Sequence, residues 1–353
     1  MRRPGRLAVR APNHLGELVL ALPALAALAR RARREDGATV LLQLPASLVP
    51  LIGLAGLDAD LLPLTGRRRL LRAAGDLRRR GADRGVLLTP SLSSALAFRL
   101  AGLRVRRGTA GGGRTALLTD PVDREPLLRG HRVAEFLAIA GEPAPRNPPA
   151  PRIGADGAAT AWRRRRAALG VPPESGPVVG LFPGANAPSR RWPAARFAEV
   201  GRGLADRGAR VYVFGGPGET ALTARVAAGA AGPAGGRIHD LGGRTGVAEL
   251  AGALQACHVL VTNDTGPMHL AAALDRPIVA LEGAADPVQT RPLATRVRLV
   301  GRFDLPCVPC RRNACPRRGR GTVLAEARLE CLMAVGSGEV LDAALSLLEE
   351  MDR

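Results

Sequence analysis

The stretch VTNDTGPMHLAAAL, residues 261–274, runs from an apolar segment through a turn of small polar residues into an alanine-rich segment. It reads as a strand ending at Asn263 and Asp264, a turn at Thr265 and Gly266, and a helix entered through Pro267-Met268-His269. The first turn of a helix has unpaired backbone N–H groups, so such a joint is a place to hold an anion. The N–H groups from Gly266 to His269 are therefore expected to address a phosphate or an anionic sugar face. His269, in the first turn, is either part of that site or a structural histidine.

Working outward, short apolar runs alternate with longer amphipathic segments, the pattern of an α/β protein with parallel strands. Strands are expected at RLAVRA near residue 6, ATVLLQL near 38, RGVLLTP near 84 and LRVRRG near 103, with helices over 91–101 and 131–140 among them. A proline- and glycine-rich break over 141–157 reads as a linker. After a helix containing Trp162, the series resumes with PVVGLFPG (177–184), ARVYVFGG (209–216), HVLVTND (258–264) and PIVALEG (277–283). The expected architecture is two doubly wound, Rossmann-like α/β domains, one over 1–150 and one over 158–338, followed by a helix over 339–353. Which domain that last helix joins is open at this level.

At 353 residues the chain is long for a single core, and 46% apolar with 23% charged residues is the balance of a folded globular protein. The formal net charge is +20, and all 51 basic side chains are arginine. Runs such as RRARR, GRRRLLR and WRRRR suit phosphates or an anionic membrane surface, or are solvated helix faces. Aromatics are only 3%, which argues against a nucleic-acid-binding module built on stacking. The N-terminal apolar run comes late and contains Pro23, so it is read as the first strand and helix of a cytoplasmic protein and not as a signal peptide. No run reaches the ~18 apolar residues of a membrane helix, which limits membrane contact to the periphery. Cys307, Cys310, Cys315 and Cys331 form one CxxC and two further cysteines without a nearby histidine. Buried or occasionally oxidised thiols are expected there and no metal, with a structural zinc as the alternative.

In doubly wound sheets ligands bind beyond the carboxyl ends of the strands, which singles out three more joints. In VRAPNHLGELVLALPAL, Gly16 is expected to make a tight turn and Glu17 to open a helix, as a helix-start preference or as a base. Asn13 and His14 in the same turn are the acceptor-binding candidates. In GLFPGANAPSRRWPAARFAEV, the small Gly184 and Ala185 let the backbone approach a ligand. Arg190 and Arg191 precede a helix and suit a diphosphate, while Trp192 fills core. In VFGGPGETALTARV, Glu219 either accepts hydrogen bonds from a nucleotide or caps its helix. Walker, HExxH and GxSxG signatures are missing from the sequence.

Together LGELVLALPAL, PGANAPSRRWPAARFAEV, NDTGPMHLAAAL and the CVPC…CP…ECL tail resemble glycosyltransferase family nine, the ADP-heptose:lipopolysaccharide heptosyltransferases. The resemblance implies a GT-B fold, with two domains facing across a cleft, the acceptor on the first and the nucleotide sugar on the second. It also implies inverting transfer from an ADP-heptose donor with no cofactor or obligatory metal. The acceptor would be the lipopolysaccharide inner core at the inner face of the cytoplasmic membrane. In the family an aspartate near the first strand is thought to deprotonate the acceptor; Glu17 stands at that position here, a departure of one methylene. Arg190 matches the family's basic residue, Asp264 is similar to the acidic residue near heptose and phosphate, and Thr265, Gly266, Met268 and His269 are similar to the diphosphate loop. Competing readings are a transferase with another sugar or acceptor and a sugar-nucleotide 2-epimerase of the same architecture.

Overall fold

The structure, a computed structural model, describes residues 5–65, 69–233, 235–315 and 330–351. Two of the arginines expected in the first half, Arg67 and Arg68, lie outside the described residues, as does the segment 316–329 between Cys315 and Cys331. The chain divides into two compact units, Met1–Ile153 and Gly154–Arg353.

The first unit holds β1 (Arg6–Arg10), β2 (Val40–Pro45), β3 (Ala59–Leu64), β4 (Ala82–Leu87), β5 (Val105–Thr109) and β6 (Asp120–Val122). They lie side by side as β3-β2-β1-β4-β5-β6, every pair parallel. The second unit holds β7 (Val178–Phe182), β8 (Arg210–Val213), β9 (Ile238–Asp240), β10 (Val259–Asn263), β11 (Ile278–Glu282) and β12 (Val297–Gly301). Its order is β12-β11-β10-β7-β8-β9, again parallel throughout. Counted from its own first strand, each sheet has the order 3-2-1-4-5-6 of the doubly wound Rossmann fold.

Parallel strands are covered on both faces, which is why the central ones read as unbroken apolar runs. β7, β10 and β11 are buried at every position. The strands without such a run, β3, β6, β9 and β12, are the four sheet edges. Each is only partly buried, and their sequences ADLLPL, DPV, IHD and VRLVG mix polar with apolar residues accordingly.

Helix Leu15–Asp36 follows β1 and ends at Gly37, whose φ of +62° suits glycine. Gly16, expected in a turn, is instead the second residue of this helix. The expected helices over 91–101 and 131–140 are Leu92–Leu100 and Arg132–Ala140. In the GTAGGGR loop, Gly111, Gly112 and Gly113 all take positive φ. They fold Arg114 back into the protein, where it donates to the carbonyls of Thr109 and Thr89, both at 2.6 Å.

In the second unit, helix Asp156–Ala168 lies on helix Val247–Ala256. Gly252 permits the approach, since a Cβ there would stand 2.0 Å from the Ala158 carbonyl oxygen. The last helix, Ser337–Glu349, joins the second unit. Its Val340, Ala344 and Leu347 share a core with Trp192, Phe197, Val261 and Leu281. Among the described residues no helix is long and apolar enough to cross a membrane.

Candidate functional site

The order 3-2-1-4-5-6 reverses direction between the first and fourth strands, and ligands of such sheets sit beyond the strand ends at that point. In the second unit the two strands are β7 and β10, paired with Thr262 opposite Phe182. The loops leaving them are 183–191 and 264–265, the two segments that the sequence had marked.

Arg190 closes a short 3-10 turn, Pro188–Arg190, and its Nη1 donates to Asp264 Oδ2 at 2.9 Å. The Asp264 side chain is 3% exposed and that of Arg190 is 32% exposed, so the pair has a dry end and a wet end. Asn263 ties the joint together. Its Nδ2 donates to the Pro183 carbonyl at 2.8 Å, and its Oδ1 accepts from the Trp192 N–H at 3.1 Å. Trp192 is the core residue expected, packed edge-to-face on Phe197 with Nε1 donating to the Val335 carbonyl. The turn bearing Arg190 is held from the cysteine-rich tail as well. Ser189 donates through Oγ to the Arg312 carbonyl at 2.6 Å and through its N–H to the Asn313 carbonyl. Sequence reading had not connected that tail with the site, since no spacing rule links residues over a hundred positions apart.

Helix Gly266–Ala273 starts at this point with Thr265 as its extended N-cap residue. Pro267 has no N–H, and the Met268 N–H donates to the Thr265 carbonyl at 3.1 Å. The Met268 side chain is fully buried. His269 is buried as well.

Gly184 and Glu219 are brought into contact, since a Cβ at Gly184 would lie 2.0 Å from Glu219 Oε1. Glu219 Oε2 accepts from the Gly216 N–H at 2.8 Å, so one carboxylate oxygen caps the turn and the other lies over the loop after β7. Arg191 donates through Nε to the Ala185 carbonyl at 2.8 Å, fixing the loop from within. Ala185 itself is buried.

Electrostatically the site holds more acid than was read from the sequence. Burial pushes the Asp264 carboxyl above its ordinary value, against the pull of Arg190. Glu282, the last residue of β11, is buried too, and Asp286 nearby caps the turn Pro287–Thr290 while accepting from Arg311. The signal for Glu282 was available: a carboxylate ends the apolar run PIVALEG, at the strand end where ligand-directed residues occur.

In the first unit Glu17 sits in the first turn of helix Leu15–Asp36, where the helix dipole favours a carboxylate. Its side chain is 37% exposed, and Oε1 accepts from Arg132 Nη2 at 3.2 Å. Arg132 also donates to Glu135 Oε2 at 2.5 Å, and Glu135 accepts from Arg124 at 2.9 Å. A chain of alternating charge thus aims Glu17, and Arg132 within it was not foreseen. Asn13 and His14 are exposed just before the helix, with Asn13 Oδ1 accepting from Arg10.

The five cysteines are free thiols. Burial raises the Cys331 thiol, and Cys307, Cys310 and Cys315 are near enough to add to that effect. Among the described residues no group of three or more His, Cys, Asp or Glu side chains is placed to hold a metal ion.

With this geometry in view, comparison with known proteins is decisive. The sequence profile of glycosyltransferase family 9 (heptosyltransferase) matches residues 68–319. The chain belongs to glycosyltransferase family 9. Among its family 9 relatives, lipopolysaccharide heptosyltransferase 2 of Escherichia coli K12 is 31% identical over 248 residues, covering 67% of this chain and 69% of that protein. The corresponding protein of Salmonella typhimurium LT2 is 30% identical over 253 residues, with the same coverage. The solved structure of E. coli ADP-heptose lps heptosyltransferase II matches with a TM-score of 0.81 at 25% identity, over 99% of this chain and 100% of that one. A family 9 glycosyl transferase from Veillonella parvula, at 20% identity, shares the fold with a TM-score of 0.75 over 99% of each chain. This family 9 glycosyltransferase therefore has the GT-B class of fold, built of two Rossmann-like units.

Proposed function

We propose that this transferase moves a heptose from ADP-heptose to the inner core of lipopolysaccharide. The observation that carries the reading is the Arg190–Asp264 pair, set beside a helix start at the switch point of the second sheet. The kinship with two heptosyltransferases 2 supports the choice of sugar and acceptor.

The second unit takes the donor. Arg190 and the Gly266 N–H face the diphosphate, Thr265 and Arg191 shape the loops around it, and Asp264 and His269 lie on the heptose side. Glu219, above Gly184 and Ala185, accepts from the ribose hydroxyls with the oxygen that does not cap the turn. The first unit takes the acceptor, near Asn13 and His14. The reaction is a single displacement with inversion. Glu17 accepts the proton of the acceptor hydroxyl as that oxygen forms its bond to the anomeric carbon. The bond from that carbon to the diphosphate oxygen breaks, and ADP departs with the electron pair, its charge met by Arg190 and the helix start. No cofactor enters this scheme. The +20 charge suits work beside a phosphorylated acceptor at the anionic inner face of the cytoplasmic membrane.

The test is ADP release from ADP-heptose by the purified protein, with and without a lipid-free, heptose-bearing inner-core acceptor. Acceptor-dependent release is the expected result. A modified sugar released from the donor alone would overturn the reading in favour of an epimerase.

A further inference from the structure

Glu282 has no role in the scheme above, yet it is buried beside the donor site. Its relative exposure is 0%, and among the described residues neither carboxyl oxygen has a hydrogen-bond partner. β10 and β11 pair in parallel with Asn263 opposite Leu281, which sets Asp264 beside Glu282 across strands ~4.8 Å apart. Among the described residues the charged groups around Glu282 are Asp264 after β10, Arg190 from the loop after β7, and Asp286 with Arg311 bonded to it. On the β12 side its register partner is Gly301, which brings no charge.

Because Asp286 occupies Arg311, one guanidinium among the described residues, that of Arg190, serves two carboxyl groups. Asp264 has it at 2.9 Å and Glu282 has no hydrogen-bond donor among the described residues, so the proton that balances the cluster belongs on Glu282. Resting on the donor site proposed above, we propose that Glu282 is a positioning residue whose proton governs diphosphate binding. As a neutral acid it leaves the charge of Arg190 free to meet the donor, and as a carboxylate it cancels that charge. Burial holds this carboxyl well above the ordinary range, Asp264 and Asp286 push it the same way, and Arg190 opposes them.

The experiment is calorimetric titration of ADP into the full chain, wild type and Glu282→Gln, at about pH 7 and about pH 9.5. Two buffers of different ionisation enthalpy report the protons exchanged. In the wild type the Kd is expected to rise by about tenfold between the two pH values, the order of one unit charge ~12 Å from the ligand at an effective dielectric of ~20. Binding at the higher pH should take up a proton. In Glu282→Gln both the rise and the uptake should vanish. An equal rise in both proteins, or wild-type binding without proton uptake, overturns the role of Glu282 and leaves the donor site standing. No ADP binding at either pH overturns both readings together. If Glu282→Gln does not fold, proton uptake by the wild type decides alone.

Discussion

Replacing Arg190 with alanine removes the cation from a pair whose acidic partner is 3% exposed. Taking one partner from a buried ion pair costs about 3–5 kcal/mol. Arg190 is itself 32% exposed, so solvent already screens part of the attraction, and a loss of about 2–3 kcal/mol is expected at neutral pH. The loss should depend on pH in a definite direction. The Asp264 carboxyl titrates above its ordinary value in the folded protein because it is buried, so the stability associated with its proton is full below the unfolded pKa and declines as pH rises through the folded one. Without Arg190 the folded value climbs further and the decline continues to higher pH. The difference between Arg190→Ala and wild type should therefore be small near pH 5 and larger near pH 8. Urea unfolding followed by tryptophan fluorescence is the assay, since Trp162 and Trp192 both belong to the second unit and report on it alone. In an Asp264→Asn background the same replacement should cost about 1 kcal/mol or less, as the charge to be stranded is gone. A penalty equal at both pH values, or undiminished in the Asp264→Asn background, would falsify the reasoning.

Glu17→Gln should lower acceptor-dependent ADP release by about a hundredfold or more, the usual weight of a general base, while the urea midpoint of unfolding stays near that of wild type. Arg132→Met should lower turnover by a smaller factor, checked in the same release assay, because the carboxylate survives but loses the donor that aims it. Gly184→Ala should weaken ADP binding in calorimetry and cost about 1 kcal/mol in unfolding, since the new Cβ falls 2.0 Å from Glu219 Oε1 and displaces a carboxylate that also caps a turn.

What was legible in the sequence follows burial. Eight strands announced themselves as apolar runs, among them β7, β10 and β11, whose every residue is inside. The four that did not, β3, β6, β9 and β12, stand at the sheet edges, where one side needs no partner and polar residues cost little. The last helix was readable as a helix but not as a neighbour of Trp192, a relation only the folded chain contains. In the site, Asp264 and Arg190 could be marked from strand ends and helix starts, each by its own local rule. That Met268 would be buried was hidden, because the helix Gly266–Ala273 is buried from Pro267 onward and a polar His269 stands next to it in the same buried run. Arg132, Arg312 and Asn313 act across long sequence separations and left no local trace.

The bond from Arg132 to Glu17 spans 115 positions of the chain. It bears on how relatives in this family can be recombined. Grafting the strand–helix segment around Glu17 from one protein into another moves the carboxylate without the group that aims it. A hybrid with its crossover between residues 17 and 132 thus inherits a mismatched pair unless both parents carry arginine there. Exchange of residues 5–140 as one block keeps the pair intact, and that makes the whole first sheet, and not its opening motif, the smallest interchangeable part.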